Sequence, residues 1–498
     1  MSGDAPGAAR AWYAAGCGET ERGEYAAAAR SFQLALDSAP GWPEAQHNLG
    51  RALFELGRVD DAVPCFERAA LGPHAGLPRA MLAVVIPGSA RADHQAVLGA
   101  RRAWARDFLP PLRPGPAPRA LVPNEALRVG YVSSFFHRAN WMKPVWALIN
   151  GHDRRAVEVH LFADSPGWTG GDGYRAHPAD RIHAIAGMPN EEAAAVIERC
   201  GIDLLVDLNA YSKLGRLPLY QWRPAPVVAS WFNMYATSGM SCFDCVVGDD
   251  VVVSPNEERF YCERVVRVDG SYLTFEPWSG APDVIEPPCV ASGAITFGCL
   301  ASQYKITPAV LEAWGRILVE APSSTMVLRN AGLASASVRR YVHDALVARG
   351  IAGDRIRMLG PADHREFIGT YDMIDVALDT FPYSGGTTTM EAIWQGVPVV
   401  TFHGDRWASR TSESILRAAG LSEFVGSDID GYVKLAVDLA TATGCVERLT
   451  ALRRVMRERV GASDVCNGER FARAMEHLYR RMHDERTRGR SDDGRATR

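Results

Sequence analysis

From Leu127 to Phe402, short β-rich runs alternate with stretches of helical periodicity, and this alternation leaves few folds open to the chain. LRVGYVSS, VEVHLFAD, IDLLVDL and VVASWF come first; AITFGCL, STMVLRN, RIRML, IDVALDT and VPVVTF follow. Stretches such as EEAAAVIERCG and TPAVLEAWGRILVEA between them repeat their apolar residues at helical spacing. Sustained strand–helix alternation builds parallel sheets covered by helices on both faces. A Pro-containing break at Glu286–Ser292 (EPPCVAS) divides the series in two. The predicted fold class is therefore α/β with two Rossmann-like lobes. A chain of 498 residues also needs more than one core.

The first 75 residues follow a different rule. Ala15-Gly16, Gly23, Ala28, Phe32 and Ala35 recur 34 positions later as Leu49-Gly50, Gly57, Ala62, Phe66 and Ala69. That period, with small residues at those offsets, marks two tetratricopeptide helix pairs. Pro40 and Pro43 break the chain between them. Two repeats are too few for a long superhelical groove, so the region reads as a cap or a small docking platform. The expected divisions are 1–75 for the repeats and 76–122 for a helical segment and Pro-rich linker (LPPLRPGPAPRALVP). They continue with 123–288 and 289–483 for the two lobes, and 484–498 for a disordered charged tail. The last helix, Gly468–Met482, is expected to pack back on the N-terminal lobe.

Composition narrows the functional classes. A net charge of −4 gives no general attraction to phosphate backbones, so a nucleic-acid partner is not expected. No apolar run reaches the roughly 18 residues of a membrane span, and the N-terminus lacks the pattern of a secretory leader. Ten scattered cysteines read as buried free thiols in a cytoplasmic protein. Cys242 and Cys245 form the one CxxC, with no second ligand pair of zinc-like spacing after it.

Chemistry concentrates where strands are expected to end. Leu378-Asp379-Thr380-Phe381-Pro382-Tyr383-Ser384-Gly385-Gly386-Thr387-Thr388-Thr389-Met390-Glu391 closes an apolar strand, turns on two glycines and opens a helix with three threonines. Free N–H groups at that helix start and the hydroxyls of Thr387, Thr388 and Thr389 suit a diphosphate. Glu391, one turn further on, suits ribose hydroxyls. In FGCLASQYKITP, Lys305 follows the first strand of the same lobe, where it can neutralise charge on a departing diphosphate. Asp428-Ile429-Asp430 has the DxD form of a metal-binding motif but precedes GYVKLAVDLA, so an N-cap is the expected role.

LDTFPYSGGTTTMEAIWQGVPVVTF, the following Gly404–Arg410 and FGCLASQYKITP closely resemble the C-terminal lobe of O-GlcNAc transferases and their SPINDLY-type O-fucosyltransferase relatives. Asp207–Ser212, Trp222–Val227 and Ala236–Gly239 agree with the N-terminal lobe of that family. The resemblance runs from Leu127 to Met482. It implies a GT-B architecture whose lobes face each other across a cleft, and an inverting, metal-independent transfer without a cofactor. Lys305 matches the lysine on the donor diphosphate, Thr387 and Thr388 the phosphate-binding threonines, and Glu391 the acidic residue on the ribose. Gly385 and Gly386 belong to the same donor-binding stretch; Gly386 stands where animal members carry histidine, and Ser302 where the family usually has Asn or Gln. His364 matches a position near the nucleotide base.

On the acceptor side the loop departs from the family pattern. It reads Ser133-Ser134-Phe135-Phe136-His137-Arg138-Ala139-Asn140-Trp141-Met142-Lys143-Pro144, and His137 aligns with the family histidine only across a small gap. A neutral imidazole there can accept a proton from an attacking hydroxyl. Trp141 and Lys143 can shape an acceptor or sugar pocket, and Tyr211 occupies a family position at the cleft. The expected activity moves GlcNAc from UDP-GlcNAc to Ser or Thr of a protein or peptide. Three alternatives remain open at this point: GDP-fucose as donor, a small-molecule or natural-product peptide acceptor, and an inactive repeat-bearing adaptor.

Overall fold

The computed structural model describes residues 7–122, 124–276 and 280–493, with side chains through Arg488. The chain divides into two compact units, Met1–Asp93 with Trp278–Val460 and His94–Pro277 with Gly461–Arg498. The first begins with helices α1 (Gly7–Glu21), α2 (Tyr25–Ser38), α3 (Pro43–Glu55), α4 (Val59–Ala69) and α5 (Gly76–Val85). The recurring small residues do what the 34-residue period implies. A Cβ on Gly16 would sit 2.7 Å from the Phe32 ring, and one on Gly50 would sit 3.0 Å from Phe66. Each glycine thus admits the buried phenylalanine of its own repeat. Gly23 and Gly57 turn the chain with left-handed φ of 73° and 81°.

The second unit opens with α6 (His94–Phe108) and then alternates. Its elements are β1 (Leu127–Ser133), α7 (Lys143–Gly151), β2 (Val157–Ala163), β3 (Arg181–Ala184), α8 (Asn190–Arg199), β4 (Leu204–Asp207), β5 (Val227–Ser230), β6 (Cys245–Gly248) and β7 (Arg264–Arg267). All pair in parallel in the order β3-β2-β1-β4-β5-β6-β7. The sequence pattern had not marked β3, β6 and β7. β3 is mostly exposed and β7 begins and ends on arginine, so apolar content does not announce them, whereas β6 is apolar and buried and was readable.

The chain then returns to the first unit. Here follow α9 (Cys289–Ser292), β8 (Thr296–Cys299), α10 (Pro308–Glu320), β9 (Thr325–Arg329), α11 (Ala336–Val347), β10 (Ile356–Leu359), α12 (His364–Gly369) and β11 (Val376–Leu378). The unit closes with α13 (Thr387–Trp394), β12 (Val399–Phe402), α14 (Trp407–Ala418), β13 (Val425–Gly426), α15 (Ile429–Thr441) and α16 (Cys445–Gly461). The sheet order is β10-β9-β8-β11-β12-β13, again parallel. Both sheets are Rossmann-like, as the alternation predicts. In such sheets the ligand crevice opens where strand order reverses, here outside the carboxyl ends of β8 and β11.

The repeats are part of this unit. A Cβ on Gly57 would fall 2.2 Å from the Ile306 carbonyl, Phe54 stacks on Tyr304 with centroids 5.1 Å apart, and Glu24 accepts from Ser335 Oγ at 2.7 Å and Ser337 N at 3.2 Å. The repeat helices thus brace the turn that carries Lys305 and cap the start of α11.

The last helix, α17 (Gly468–Asp493), packs on α7, and its Glu476 meets the buried His152 at 2.9 Å. It runs past Met482, so residues 484–493, expected to be disordered, are helical. Glu485 pairs with Arg264 at 2.6 Å, an anchor that composition does not reveal. Residues 494–498 of that tail lie outside the described residues, as do 1–6. No helix among the described residues is long and apolar enough to cross a membrane.

Candidate functional site

Asp379 directly follows strand β11, and this buried carboxylate shapes the turn. It accepts from Gly385 N at 2.7 Å and from Thr401 Oγ1 at 2.7 Å. Burial raises its pKa, and these hydrogen bonds oppose the rise. A Cβ on Gly385 would stand 2.2 Å from Thr389 Oγ1, so only glycine fits there. Gly386 is different: its nearest neighbour would be Thr411 Cγ2 at 3.8 Å, which leaves room for a side chain.

Helix α13 starts directly after this turn, and its first regular backbone bond runs from Met390 N to Gly386 O. The preceding N–H groups at the helix start have no partner along the helix. Thr387 and Thr388 are partly exposed, and their hydroxyls make no hydrogen bond among the described residues. Thr389 does not join them. It is buried, with Oγ1 2.8 Å from Ser412 Oγ on α14. Successive helical residues turn by about 100°, so three in a row cannot share one face. Thr387 and Thr388 stay open at the helix start, and Thr389 locks α13 to α14.

Lys305 lies in a short 3-10 turn after β8, on the other side of the strand-order reversal. Its Nζ donates to the Ser384 carbonyl at 2.8 Å and lies 5.1 Å from the centre of the Tyr383 ring. Desolvation pulls its pKa down to about 8, against the pull of Asp379. Ser384 itself is pinned to the Ala408 carbonyl through both N and Oγ. One lysine and one helix start are therefore joined through a single backbone carbonyl.

Glu391 and His364 come together as well, with Nε2 3.6 Å from Oε1. Tyr371 stands beside them and donates to the Thr388 carbonyl at 2.9 Å. Ser302 is exposed and lines a separate cavity of about 590 Å³ bounded by Thr20–Tyr25 of the first repeat and by Gly332 and Ser335. Asp428 caps α15 by accepting from Gly431 N at 2.8 Å, and Asp430 pairs with Arg316 at 2.8 Å, so the DxD is a helix cap and an ion pair.

The second unit presents its candidates at the carboxyl ends of β1 and β4, where its own strand order reverses. His137 is exposed, with Nδ1 3.1 Å from Ser165 Oγ. Trp141 is half-buried, its ring set edge-on to Phe135 at 4.4 Å and tilted against Phe232 at 6.0 Å. Lys143 is buried at the first turn of α7, with Nζ 5.7 Å from the centre of the Phe275 ring. Tyr211 is a correction. It is 6% exposed, its hydroxyl donates to the Ser238 carbonyl at 2.7 Å, and Arg101 of α6 lies 3.9 Å over its ring. That side chain fastens α6 to the lobe. Cys242 and Cys245 are buried free thiols whose pKa values burial pushes up, Cys245 to about 11.

Three features escaped the sequence reading. Asp379 could have been found, because a carboxylate between an apolar strand and a Gly-Gly turn has few other uses. His403, exposed at the end of β12, holds Nδ1 2.8 Å from the buried Glu413; a histidine directly after a strand was the available signal. The loop after β5 places Phe232 and Tyr235 at φ of 78° and 55°, a strained backbone that nothing in WFNMY announces.

Residues 116–276 and 289–475 match Glycosyl transferase family 41, and 19–72 match a tetratricopeptide repeat. The chain belongs to glycosyl transferase family 41. It is similar to a Hordeum vulgare protein named probable UDP-N-acetylglucosamine–peptide N-acetylglucosaminyltransferase SPINDLY, 32% identical over 72% of this chain and 38% of that one. A Caenorhabditis elegans UDP-N-acetylglucosamine–peptide N-acetylglucosaminyltransferase is 25% identical over 64% of this chain and 37% of its own length. The chain thus spans about two fifths of the length of the curated relatives it matches. A mutant of the Thermobaculum terrenum O-GlcNAc transferase superposes with a TM-score of 0.85 at 33% identity, covering 97% of this chain and 92% of that one. The fold is accordingly of the family 41 GT-B type, preceded by tetratricopeptide helices.

Proposed function

We propose that this family 41 member transfers N-acetylglucosamine from UDP-N-acetylglucosamine to a Ser or Thr hydroxyl of a protein or peptide. The observation that carries the reading is the meeting of Lys305 with the Thr387–Thr388 helix start at the strand-order reversal. The names of the relatives support the choice of donor and acceptor.

In this reading the N–H groups and hydroxyls of Thr387 and Thr388 hold the diphosphate, and the dipole of α13 favours its charge. Lys305 counters the charge that builds on the leaving UDP as the glycosidic bond breaks, which makes it a transition-state group. Glu391, steadied by His364, receives the ribose hydroxyls. With these groups present the transfer runs without a metal ion or cofactor. The acceptor oxygen attacks the anomeric carbon with inversion, and its proton passes to His137, whose exposed imidazole is steadied by Ser165.

The ten free cysteines suit a reducing compartment, and we place the protein in the cytoplasm. The repeats, packed on the Lys305 turn, serve first as a brace for the donor site and second as a platform for a polypeptide acceptor. Calorimetric titration of the full chain with UDP-GlcNAc, UDP-glucose and GDP-fucose tests the donor. UDP-GlcNAc is expected to bind. Binding of GDP-fucose alone would assign the chain to fucosyl transfer, and binding of none would make it an adaptor.

A further inference from the structure

The edge of the N-terminal lobe sheet holds a group of side chains that sugar transfer does not use. His160 stands in the middle of β2, His183 on the edge strand β3, and Cys200 follows the last residue of α8. His160 Nδ1 lies 3.1 Å from His183 Nε2, which lies 3.8 Å from Cys200 Sγ. The ligating atoms of all three residues fall within 4.8 Å of one another. A tetrahedral Zn2+ with bonds of about 2.0 Å to nitrogen and 2.3 Å to sulfur has edges of about 3.3 Å between nitrogens and 3.5 Å from nitrogen to sulfur. The His160–His183 and His183–Cys200 spacings are close to those edges, and the His160–Cys200 spacing, within 4.8 Å, closes on binding.

The surroundings favour a metal over a simple imidazole–imidazole hydrogen bond. The far nitrogen of His160, Nε2, meets Glu158 Oε1 at 3.1 Å, the carboxylate contact that orients a metal-bound histidine and raises its basicity. Glu158 is in turn held by Arg181 at 3.2 Å and Arg128 at 3.4 Å. The His183 ring is stacked on Phe162 with centroids 4.8 Å apart.

We infer that His160, His183 and Cys200 form a site for a divalent soft-to-borderline metal ion, Zn2+ by its donor set, with solvent at the fourth position. On binding, the Cys200 thiol gives its proton to solvent and the sulfur bonds the metal as thiolate. The site serves structure. Cys200 and Gly201 lead into the start of β4, at the opposite edge of the sheet from the carboxyl ends where His137 lies. The ion would fasten β3, whose residues are mostly exposed, to β2 and α8.

The test uses the full chain, stripped with a chelator and titrated with Zn2+ and, separately, Co2+. One Zn2+ per chain is expected, and Co2+ should give a thiolate charge-transfer band in the near ultraviolet. Cys200→Ser should abolish that band while the chelated variant keeps the wild-type circular dichroism. Glu158→Gln should keep the band and weaken Zn2+ binding about 10- to 100-fold. Failure of the wild-type chain to retain Zn2+ against a weak competing chelator would overturn the site. So would a Cys200→Ser variant that keeps both the band and the stoichiometry.

Discussion

The helix start at Thr387 and the loop carrying His137 both sit at carboxyl ends of strands where sheet order reverses, yet they are built in different ways. At Thr387 the turn and the helix start come from one short stretch of chain, and Lys305 joins them from the turn after β8. Asp379 follows the strand, Gly385 is glycine because a Cβ would stand 2.2 Å from Thr389 Oγ1, and the helix leaves its first N–H groups open. Around His137 the neighbours come from far away in sequence. Ser165, Phe232 and, at Tyr211, Arg101 decide what each side chain can reach. A helix start built from consecutive residues suits the diphosphate proposed for it.

If this contrast is right, damage to the local cradle should be severe and damage to the assembled side graded. The largest effect is expected from Lys305→Ala, which removes one transition-state charge contact and should lower turnover by at least ~100-fold in steady-state assays. The pH dependence of donor binding has the same origin. Lys305 loses its proton near pH 8 in the free protein, and a bound diphosphate favours the charged form. Affinity for UDP should therefore be full below pH 8 and fall by about tenfold per unit above it, and the Lys305→Ala variant should lack this slope.

Gly385→Ala should weaken UDP binding by more than about tenfold, because a Cβ 2.2 Å from Thr389 Oγ1 forces the turn apart. Gly386→Ala, with 3.8 Å of clearance, should stay within about twofold of the parent in the same titration. Equal effects at the two glycines would remove the steric argument for the cradle. The smallest effect on catalysis is expected at Tyr211→Phe. It leaves the Ser238 carbonyl without its donor and should cost about 1–3 kcal/mol in denaturant unfolding, with turnover nearly unchanged. A large fall in turnover without loss of stability would return Tyr211 to the active site.

The same contrast explains what could be read from sequence. The two lobes were legible because alternation of strand and helix is a chain-long pattern, and the repeats because Gly16 with Phe32 and Gly50 with Phe66 form matching contacts. The placing of Lys305 after β8 and of Thr387, Thr388 and Glu391 on α13 was legible because these positions follow from a strand end and a helix start. Thr389 was misread by counting threonines without turning the helix. The packing of Tyr211 against α6 was not legible, because that helix lies more than a hundred residues upstream. The helical 484–493 segment was hidden by its charge, since one ion pair between Glu485 and Arg264 leaves no trace in composition. The His160–His183–Cys200 group was missed because β3 itself was not visible as a strand.

The central claim is that Thr387 and Thr388, with Lys305, hold a nucleoside diphosphate. It is tested most directly by calorimetric titration of UDP into the full chain and into a Thr387→Val/Thr388→Val variant. Valine keeps the shape and removes only the hydroxyls. The account predicts saturable binding to the parent and a loss of at least about tenfold in the variant, the scale of hydrogen bonds to a charged group. Undiminished UDP affinity in a folded variant would contradict it.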